Sequence, residues 1–421
     1  MTSRERLIET INHRQPDKIV VDMGGSPQTG IACSTLSKLR EFYGLDKKPV
    51  KVQECMQMLG VVEEDIRNIV GGDCIGLWRP MNNFGIENKD FKPWQMPDGT
   101  NVLMAGGFEY DKNEKGEILV YPQGNRNYSP SAMMPATGDF FDGIDRVGEM
   151  DEDDLDALSH WKDQYAVYSD YVARRIEEDS IDLYNNTQLG IVGIFGGMGI
   201  GDAASLPGVG LLSPKGIRRY EDFMMAHYLY PEYIHELFSY QAEVAIKNLE
   251  IYKQAVGDRI QVAVMGGTDF GSQNGELISP DMYREFYKPY FKKVNDWVHQ
   301  NTSWKTFYHS CGSIVNLLDD MIESGTDILN PVQCSAAGMD PKMLKEKYGD
   351  KLVFWGGGID TQKTLPFGSK EEVEAEVAKR CEIFAPGGGF VFSSIHNIVA
   401  KAPAENVAKM FETVKKINEG K

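Results

Sequence analysis

The sequence predicts an α/β protein, a TIM (β/α)8 barrel with a β-hairpin insertion after strand 2. Eight short apolar runs are spaced along the 421 residues, and helical patterns separate most of them. Parallel strands covered on both faces read as such continuous apolar runs. A doubly wound open sheet is the alternative. The predicted strands are Ile19–Met23, Asp73–Trp78, Leu189–Phe195, Gln261–Met265, Thr306–His309, Asp327–Asn330, Leu352–Trp355 and Gly389–Phe392.

The helical stretches and the N-terminus complete this pattern. Residues 1–12 predict a short amphipathic helix and not a signal peptide. Most strands end in Gly, Asp, Asn or Pro, as strands that run into functional loops do. We therefore expect one TIM-barrel domain over residues 1–421. The main predicted helices lie at 215–256, 279–301, 312–324, 339–348, 370–384 and 402–418.

Residues 83–130 break the alternation of strand and helix. Turn signals recur there at Pro97-Asp98-Gly99, at Gly106-Gly107 and around Gly116. This spacing is typical of antiparallel hairpins. We expect an inserted β-rich segment that could fold over the mouth of the barrel as a lid.

Composition excludes several classes of protein. The net charge is −18, with 62 acidic and 44 basic residues, so nucleic acids and anionic membranes are poor partners. The sequence has no run of eighteen apolar residues, which argues against a membrane span. Six cysteines without a CxxC motif fit the reducing cytoplasm, where thiols stay available to metals.

The most informative motif is the pair His309 and Cys311 at the end of the fifth predicted strand. Residues i and i+2 of a strand point to the same face, so imidazole and thiol lie side by side. That pair is half of a zinc site, and three protein ligands with an open fourth position are typical of catalytic zinc. Spacing leaves two candidates for the third ligand, His396 after the eighth strand and Cys334 after the sixth.

Two acidic residues follow the fourth predicted strand, Asp269 and Glu276. The carboxyl ends of all barrel strands open onto one face, where barrel enzymes hold their active sites. Both carboxylates are therefore candidates to orient a substrate or supply a proton, although such groups also cap helices and turns.

Several segments resemble the uroporphyrinogen decarboxylase superfamily: the N-terminal helix, Leu277–Pro289, His309–Gly312 and Ile328–Gln333. The resemblance covers nearly the whole chain apart from the insertion, and it implies a TIM barrel. The decarboxylases of this superfamily bind an eight-carboxylate porphyrinogen with an arginine-rich loop after strand 1. Here that loop, residues 22–31, contains no arginine or lysine. Desolvating several carboxylates without cations is prohibitive, so the resemblance favours the cobalamin-dependent methyltransferase branch.

Zinc members of that branch carry a His-x-Cys pair on the fifth strand and a third ligand, usually cysteine, near the end of the last strand. His309 and Cys311 match the pair, whereas His396 stands at the last-strand position. One thiolate with two neutral imidazoles makes a stronger Lewis acid than two thiolates do, which suits the oxygen of an ether.

The resemblance thus implies a cytoplasmic methyltransferase like those of anaerobes that demethylate aryl methyl ethers. Zinc would be its cofactor, and the cobalt(I) of a separate corrinoid carrier protein would accept the methyl group. Four aromatic residues are candidates to pack the substrate ring, with core packing as the alternative: Phe195, Phe270, Tyr308 and Trp355. Other functions stay open: methyl transfer from the corrinoid to a thiol or folate-type acceptor, decarboxylation, or a non-catalytic scaffold that binds the corrinoid protein. The oligomeric state is also open, with a homodimer as one option.

Overall fold

The computed structural model describes residues 1–420, and a barrel of eight parallel strands forms its centre. Numbered in chain order, the strands are β1 Val20–Val21, β2 Cys74–Leu77, β3 Gly190–Gly193, β4 Val262–Gly267, β5 Lys305–His309, β6 Ile328–Asn330, β7 Val353–Trp355 and β8 Phe390–Phe392. Their order in the sheet is β1-β8-β7-β6-β5-β4-β3-β2. The Asp73 N–H donates to the Val21 carbonyl at 2.7 Å, which brings the two edges of the sheet together. The predicted TIM barrel is confirmed.

Alternate strand residues separate into two apolar layers. One cluster, which includes Val20, Val264, Phe307 and Val353, joins residues from all eight strands. Their sequence neighbours pack in a second cluster with the surrounding helices. Successive side chains of a strand point to opposite faces, so a strand buried on both sides contributes to two apolar layers. Leu7 of the N-terminal helix belongs to the first cluster and is fully buried.

Helices surround the barrel and connect its strands. The predicted helix 215–256 is two helices, because Pro231 has no N–H and disfavours helical geometry at Tyr230. The helix predicted over 312–324 begins only at Leu318. The helices are Ser3–Ile11, Cys33–Phe42, Glu64–Val70, Ala157–Trp161, Asp170–Asn186, Tyr220–Leu229, Pro231–Val256, Pro280–Met282, a π-helical turn Tyr283–Tyr287, Lys288–Asn301, Leu318–Glu323, Pro341–Tyr348, Thr364–Phe367, Lys370–Phe384 and Ala404–Glu419.

The segment between β2 and β3 contains the expected hairpins. Lys92–Gln95 pairs antiparallel with Asn101–Met104, and Tyr110–Lys112 pairs antiparallel with Ile118–Val120. The sheet that contains Tyr110–Lys112 and Ile118–Val120 continues to Gly143, beyond the predicted end of the insertion at residue 130. The strand Val50–Glu54, which precedes β2, pairs in parallel with Asn101–Met104 and so extends the sheet that contains Lys92–Gln95. A role of this segment as a lid stays a prediction.

Among residues 1–420, no helix combines the length and the apolar character that crossing a bilayer requires.

Candidate metal centre at the barrel mouth

Three side chains converge where the strands of the barrel end. His309 is the last residue of β5, Cys311 lies two residues further on, and His396 follows β8. One ligand atom from each lies within 4.8 Å of the others. The Cys311 Sγ and His309 Nε2 are 3.3 Å apart, and the two imidazole centroids are 5.6 Å apart. The structure therefore brings together the pair and one of the two candidates for a third ligand, His396.

The backbone around β5 holds this pair in place. The Cys311 N–H donates to Asp269 Oδ1 at 2.8 Å, and the Gly312 N–H donates to Gln333 Oε1 at 2.7 Å. Gly312 has a φ of +88°, a left-handed conformation that glycine adopts without strain. A Cβ on Gly267 would lie only 3.2 Å from His309 Cδ2, so this glycine leaves the imidazole its space.

Asn330, the last residue of β6, fixes the orientation of the His309 ring. Its Nδ2 donates to the Trp355 carbonyl at 2.8 Å, which turns Oδ1 toward His309 Nδ1 at 2.7 Å. The Nδ1 nitrogen then carries the proton, and Nε2 faces Cys311 with a free lone pair. Metal-binding histidines usually have such a partner on their other ring nitrogen.

The residues present fit a zinc ion. Ligands at 2.0–2.3 Å from tetrahedral zinc stand roughly 3.3–3.6 Å apart, and the 3.3 Å between Cys311 Sγ and His309 Nε2 lies in that range. Cys334 belongs to no group of potential ligands in the part of the chain that the structure describes. Burial raises the pKa of its thiol to about 11. Geometry therefore favours His396 over Cys334 as the third ligand.

The protonation states of two ligands follow from their surroundings. Burial and the neighbouring His309 lower the pKa of His396 to about 4, so its imidazole is neutral near pH 7, the form that binds metals. Burial, with the charge of Asp269, raises the pKa of the Cys311 thiol. A bound cation reverses that preference and deprotonates a coordinating thiol.

The two acidic candidates lie in different surroundings. Asp269 is half-exposed, lines the cavity beside the metal centre, and has Oδ1 3.7 Å from His309 Nε2. Glu276 instead accepts from the backbone N–H of Asn316 at 3.0 Å and from its Nδ2 at 3.3 Å. Asp269 is therefore positioned to act at the site, whereas the visible function of Glu276 is to hold the chain after β5. A catalytic role for either residue stays a prediction.

The four aromatic candidates are all buried. Phe195 packs against Tyr252, and Phe270 packs against Tyr283 and Tyr287. Trp355 donates from Nε1 to Asp22 Oδ2 at 2.9 Å, and Tyr308 is 3% exposed. None of the four lines the cavity at the metal centre. The structure thus places them where the alternative of core packing would, and their contact with substrate stays a prediction.

The cavity at the metal centre, which we call the mouth cavity, has a volume of about 430 Å³. Its wall on the side of β1 to β3 carries many amide side chains, among them Gln28, Gln53, Asn82 and Asn83. A neighbouring cavity of about 510 Å³, the side cavity, shares several of these residues and adds Tyr165 and Tyr168. The two together offer a space with both apolar and amide-bearing walls, large enough for a small organic molecule.

Sequence reasoning missed three charged residues of this wall, Glu54, Arg79 and Asp202. Arg79 follows the end of β2 by two residues, and its position directly after an apolar run was the available signal. Asp202 lies in the glycine-rich loop after β3, and its Oδ1 accepts from the Ala204 N–H at 3.0 Å. Burial and the charge of Asp269 raise the pKa of Asp202 to about 7.

Comparison with known proteins agrees with this fold. Residues 211–417 match the family model described as uroporphyrinogen decarboxylase (URO-D). The match covers just under half of the chain.

Among curated relatives, the uroporphyrinogen decarboxylase of Prochlorococcus marinus is 29% identical over 189 residues, which cover 45% of this chain and 49% of that protein. The enzyme of the same name from Trichodesmium erythraeum is 26% identical over 208 residues, or 48% of this chain and 53% of that protein. The chain thus spans about half the length of these relatives. A solved structure described as a methyltransferase from Methanosarcina mazei is 18% identical, with a TM-score of 0.55 over 99% of both chains. That likeness shows the fold.

Proposed function

We propose that this protein is a zinc-dependent methyltransferase that moves a methyl group from a methyl ether, of the aryl type, to the cobalt(I) of a separate corrinoid protein. The observation that carries the proposal is the group His309, Cys311 and His396 at the barrel mouth, with ligand atoms within 4.8 Å of one another. The Methanosarcina mazei protein of the same fold, described as a methyltransferase, supports the reaction class.

The donor set supports an oxygen leaving group. One thiolate and two neutral imidazoles would leave a zinc site with a net charge of +1, whereas two thiolates would leave it neutral. Held by these three residues, zinc would supply Lewis acidity toward the ether oxygen. His309 is kept in one tautomer by Asn330, so the geometry of the site is set before any ligand binds.

Asp202, on the wall of the mouth cavity on the side of β1 to β3, supplies the proton that the reaction needs. The bond between the methyl carbon and oxygen breaks, its electron pair stays on the oxygen, and the carbon bonds to cobalt. A proton then converts the phenolate to a phenol. Asp202 lines the mouth cavity, and a pKa raised to about 7 keeps much of its carboxyl protonated at neutral pH. Such a pKa is suited to a general acid.

Decarboxylation of a porphyrinogen is less consistent with this cavity. Eight substrate carboxylates would need several cationic partners, because a buried unpaired charge is costly. Within the described residues, Arg79 is the one lysine or arginine among those that line the mouth cavity and the side cavity. The net charge of −18 adds to the repulsion.

A methyl-transfer assay tests the proposal. The purified protein, supplemented with zinc, is mixed with chemically reduced cob(I)alamin and one of four compounds: 2-methoxyphenol, methanol, trimethylamine or uroporphyrinogen. The proposal expects the visible spectrum to change to that of methylcobalamin with 2-methoxyphenol and not with trimethylamine. Loss of carboxyl groups from uroporphyrinogen, or methyl transfer from the amine in place of the ether, would contradict it.

A further inference from the structure

Arg79 is a cation without an anionic partner inside the described part of the protein. Its guanidinium lies against the backbone of Gly196, where a Cβ would be 3.5 Å from both Cζ and Nη2. No carboxylate of residues 1–420 lies within the 4.0 Å of an ion pair with it. Arg6, by contrast, pairs with Asp73 at 2.5 Å and with Asp17 at 2.7 Å.

The neighbours of Arg79 do not neutralise its charge. Tyr168, the polar side chain beside it, accepts a hydrogen bond from Arg79, but its hydroxyl is neutral and itself donates to the Phe195 carbonyl at 3.1 Å. Glu54, the buried carboxylate of the same wall, is held by three other donors: the N–H groups of Met56 and Gln57, and Asn83 Nδ2. The guanidinium is therefore left to face a ligand.

The position of Arg79 connects it to the metal centre. It lines both the mouth cavity and the side cavity, as does Gly196, the residue against which its guanidinium rests. His309 and His396 line the mouth cavity as well. A small ligand in this space can thus meet the metal centre at one end and the guanidinium at the other.

We propose that Arg79 binds a carboxylate of the methyl donor, so that the preferred substrate is a methyl ether carrying one carboxylate group. The planar guanidinium matches a carboxylate with two parallel hydrogen bonds. A protein with a net charge of −18 has no general attraction for anions, so this local cation provides the selectivity. The inference rests on the proposed function for the ether and adds the carboxylate.

Calorimetric titration of the zinc-supplemented protein with 4-methoxybenzoate and 4-methoxybenzamide tests the inference. The two probes have nearly the same shape and differ in charge. We expect the benzoate to bind about 10- to 100-fold more tightly, as a charge-assisted pair in a sheltered site does. The Arg79→Gln variant should bind both probes with similar, weak affinity. Arg79→Lys, which keeps the charge without the two-pronged geometry, should weaken benzoate binding several-fold.

Arg126→Gln is the matched control. Arg126 lies in the inserted segment, is 47% exposed, and pairs with Glu109 and Asp111 away from both cavities. This variant should keep the full preference for benzoate. Equal affinity of the unaltered protein for the two probes, binding of neither at millimolar concentration, or a preference that survives in Arg79→Gln would overturn the inference.

Failure of the carboxylate site and failure of the proposed methyl transfer can be told apart. If benzoate binding depends on Arg79 but no ether yields methylcobalamin, the carboxylate site stands and the methyl-transfer proposal fails. If ethers are demethylated without regard to a carboxylate, methyl transfer stands and the role of Arg79 is wrong.

Discussion

The two sides of the barrel mouth differ in how their chemistry is encoded. On one side, His309 ends β5, Cys311 follows it two residues later, and His396 joins them from the segment after β8. On the other, Arg79 and Asp202 come from loops after β2 and β3 that carry no recognisable motif. A metal site needs fixed ligand geometry, which a strand end supplies, whereas a substrate wall needs only suitable groups around a cavity. The candidate metal centre can therefore be found in the sequence, whereas the candidate substrate wall cannot.

Among substitutions on the two sides, replacing a proposed metal ligand should have the largest effect on zinc content and on methyl transfer. Cys311→Ser exchanges the thiolate for a hydroxyl, and we expect zinc content to fall well below one per chain and methyl transfer to fall below the detection limit of the assay. Metal analysis after gel filtration, together with the cob(I)alamin assay, measures both. Cys334→Ser is the control of the same residue type, because Cys334 lies outside the group of ligands. Equal loss of zinc in both variants would mean that the third ligand is misassigned.

A smaller, pH-dependent effect is expected on the substrate wall. The pKa of Asp202 is raised to about 7, so its protonated form is present below that pH and is lost as the pH rises through it. Methyl transfer should therefore decline above about pH 7. Asp202→Asn, which cannot donate a proton from a carboxyl group, should be slower by ~10²-fold or more and should lose this pH dependence. The rate between pH 5.5 and 9 is the measurement, and an unchanged profile in the variant would remove Asp202 from the reaction.

The smallest effect is expected at Glu276. Its carboxylate accepts from the backbone and side chain of Asn316, and Glu276→Gln keeps an acceptor oxygen there. We expect a loss of stability of about 1 kcal/mol or less and methyl transfer within about twofold of the unaltered protein. Thermal unfolding and the transfer assay measure the two quantities. A loss of activity comparable to that of Asp202→Asn would restore Glu276 as a catalytic candidate.

Much of the fold could be predicted from sequence, because strands buried on both faces need continuous apolar residues. All eight barrel strands lie within a residue or two of their predicted runs. Helix boundaries were less accurate: tertiary contacts delay one helix to Leu318, and Pro231 divides another. The strand Val50–Glu54 was missed because it is buried on one face only, so polar residues alternate with Val50 and Val52 and no continuous apolar run marks it.

The candidate site could be predicted only where ligands share a strand end. His309 and Cys311 are neighbours in sequence, and the topology of a barrel brings His396 to them. The choice between His396 and Cys334 needed coordinates, because both follow a strand. Asn330 was visible at the end of β6, but its role follows from a hydrogen bond to Trp355 that no pattern shows. The aromatic candidates could not be placed from sequence, since a strand-end position does not say which face a ring occupies, and their contact with substrate stays a prediction.

The central claim is that His309, Cys311 and His396 hold one catalytic zinc ion. X-ray absorption spectroscopy of the zinc-loaded protein tests it most directly, because sulfur and nitrogen ligands lie at different distances, about 2.3 Å and about 2.0–2.1 Å. The expected result is about one zinc per chain with one sulfur and two imidazole nitrogens, and with loss of the sulfur shell in Cys311→Ser. A folded protein that binds no zinc, or a zinc shell with two sulfur ligands, would contradict the account.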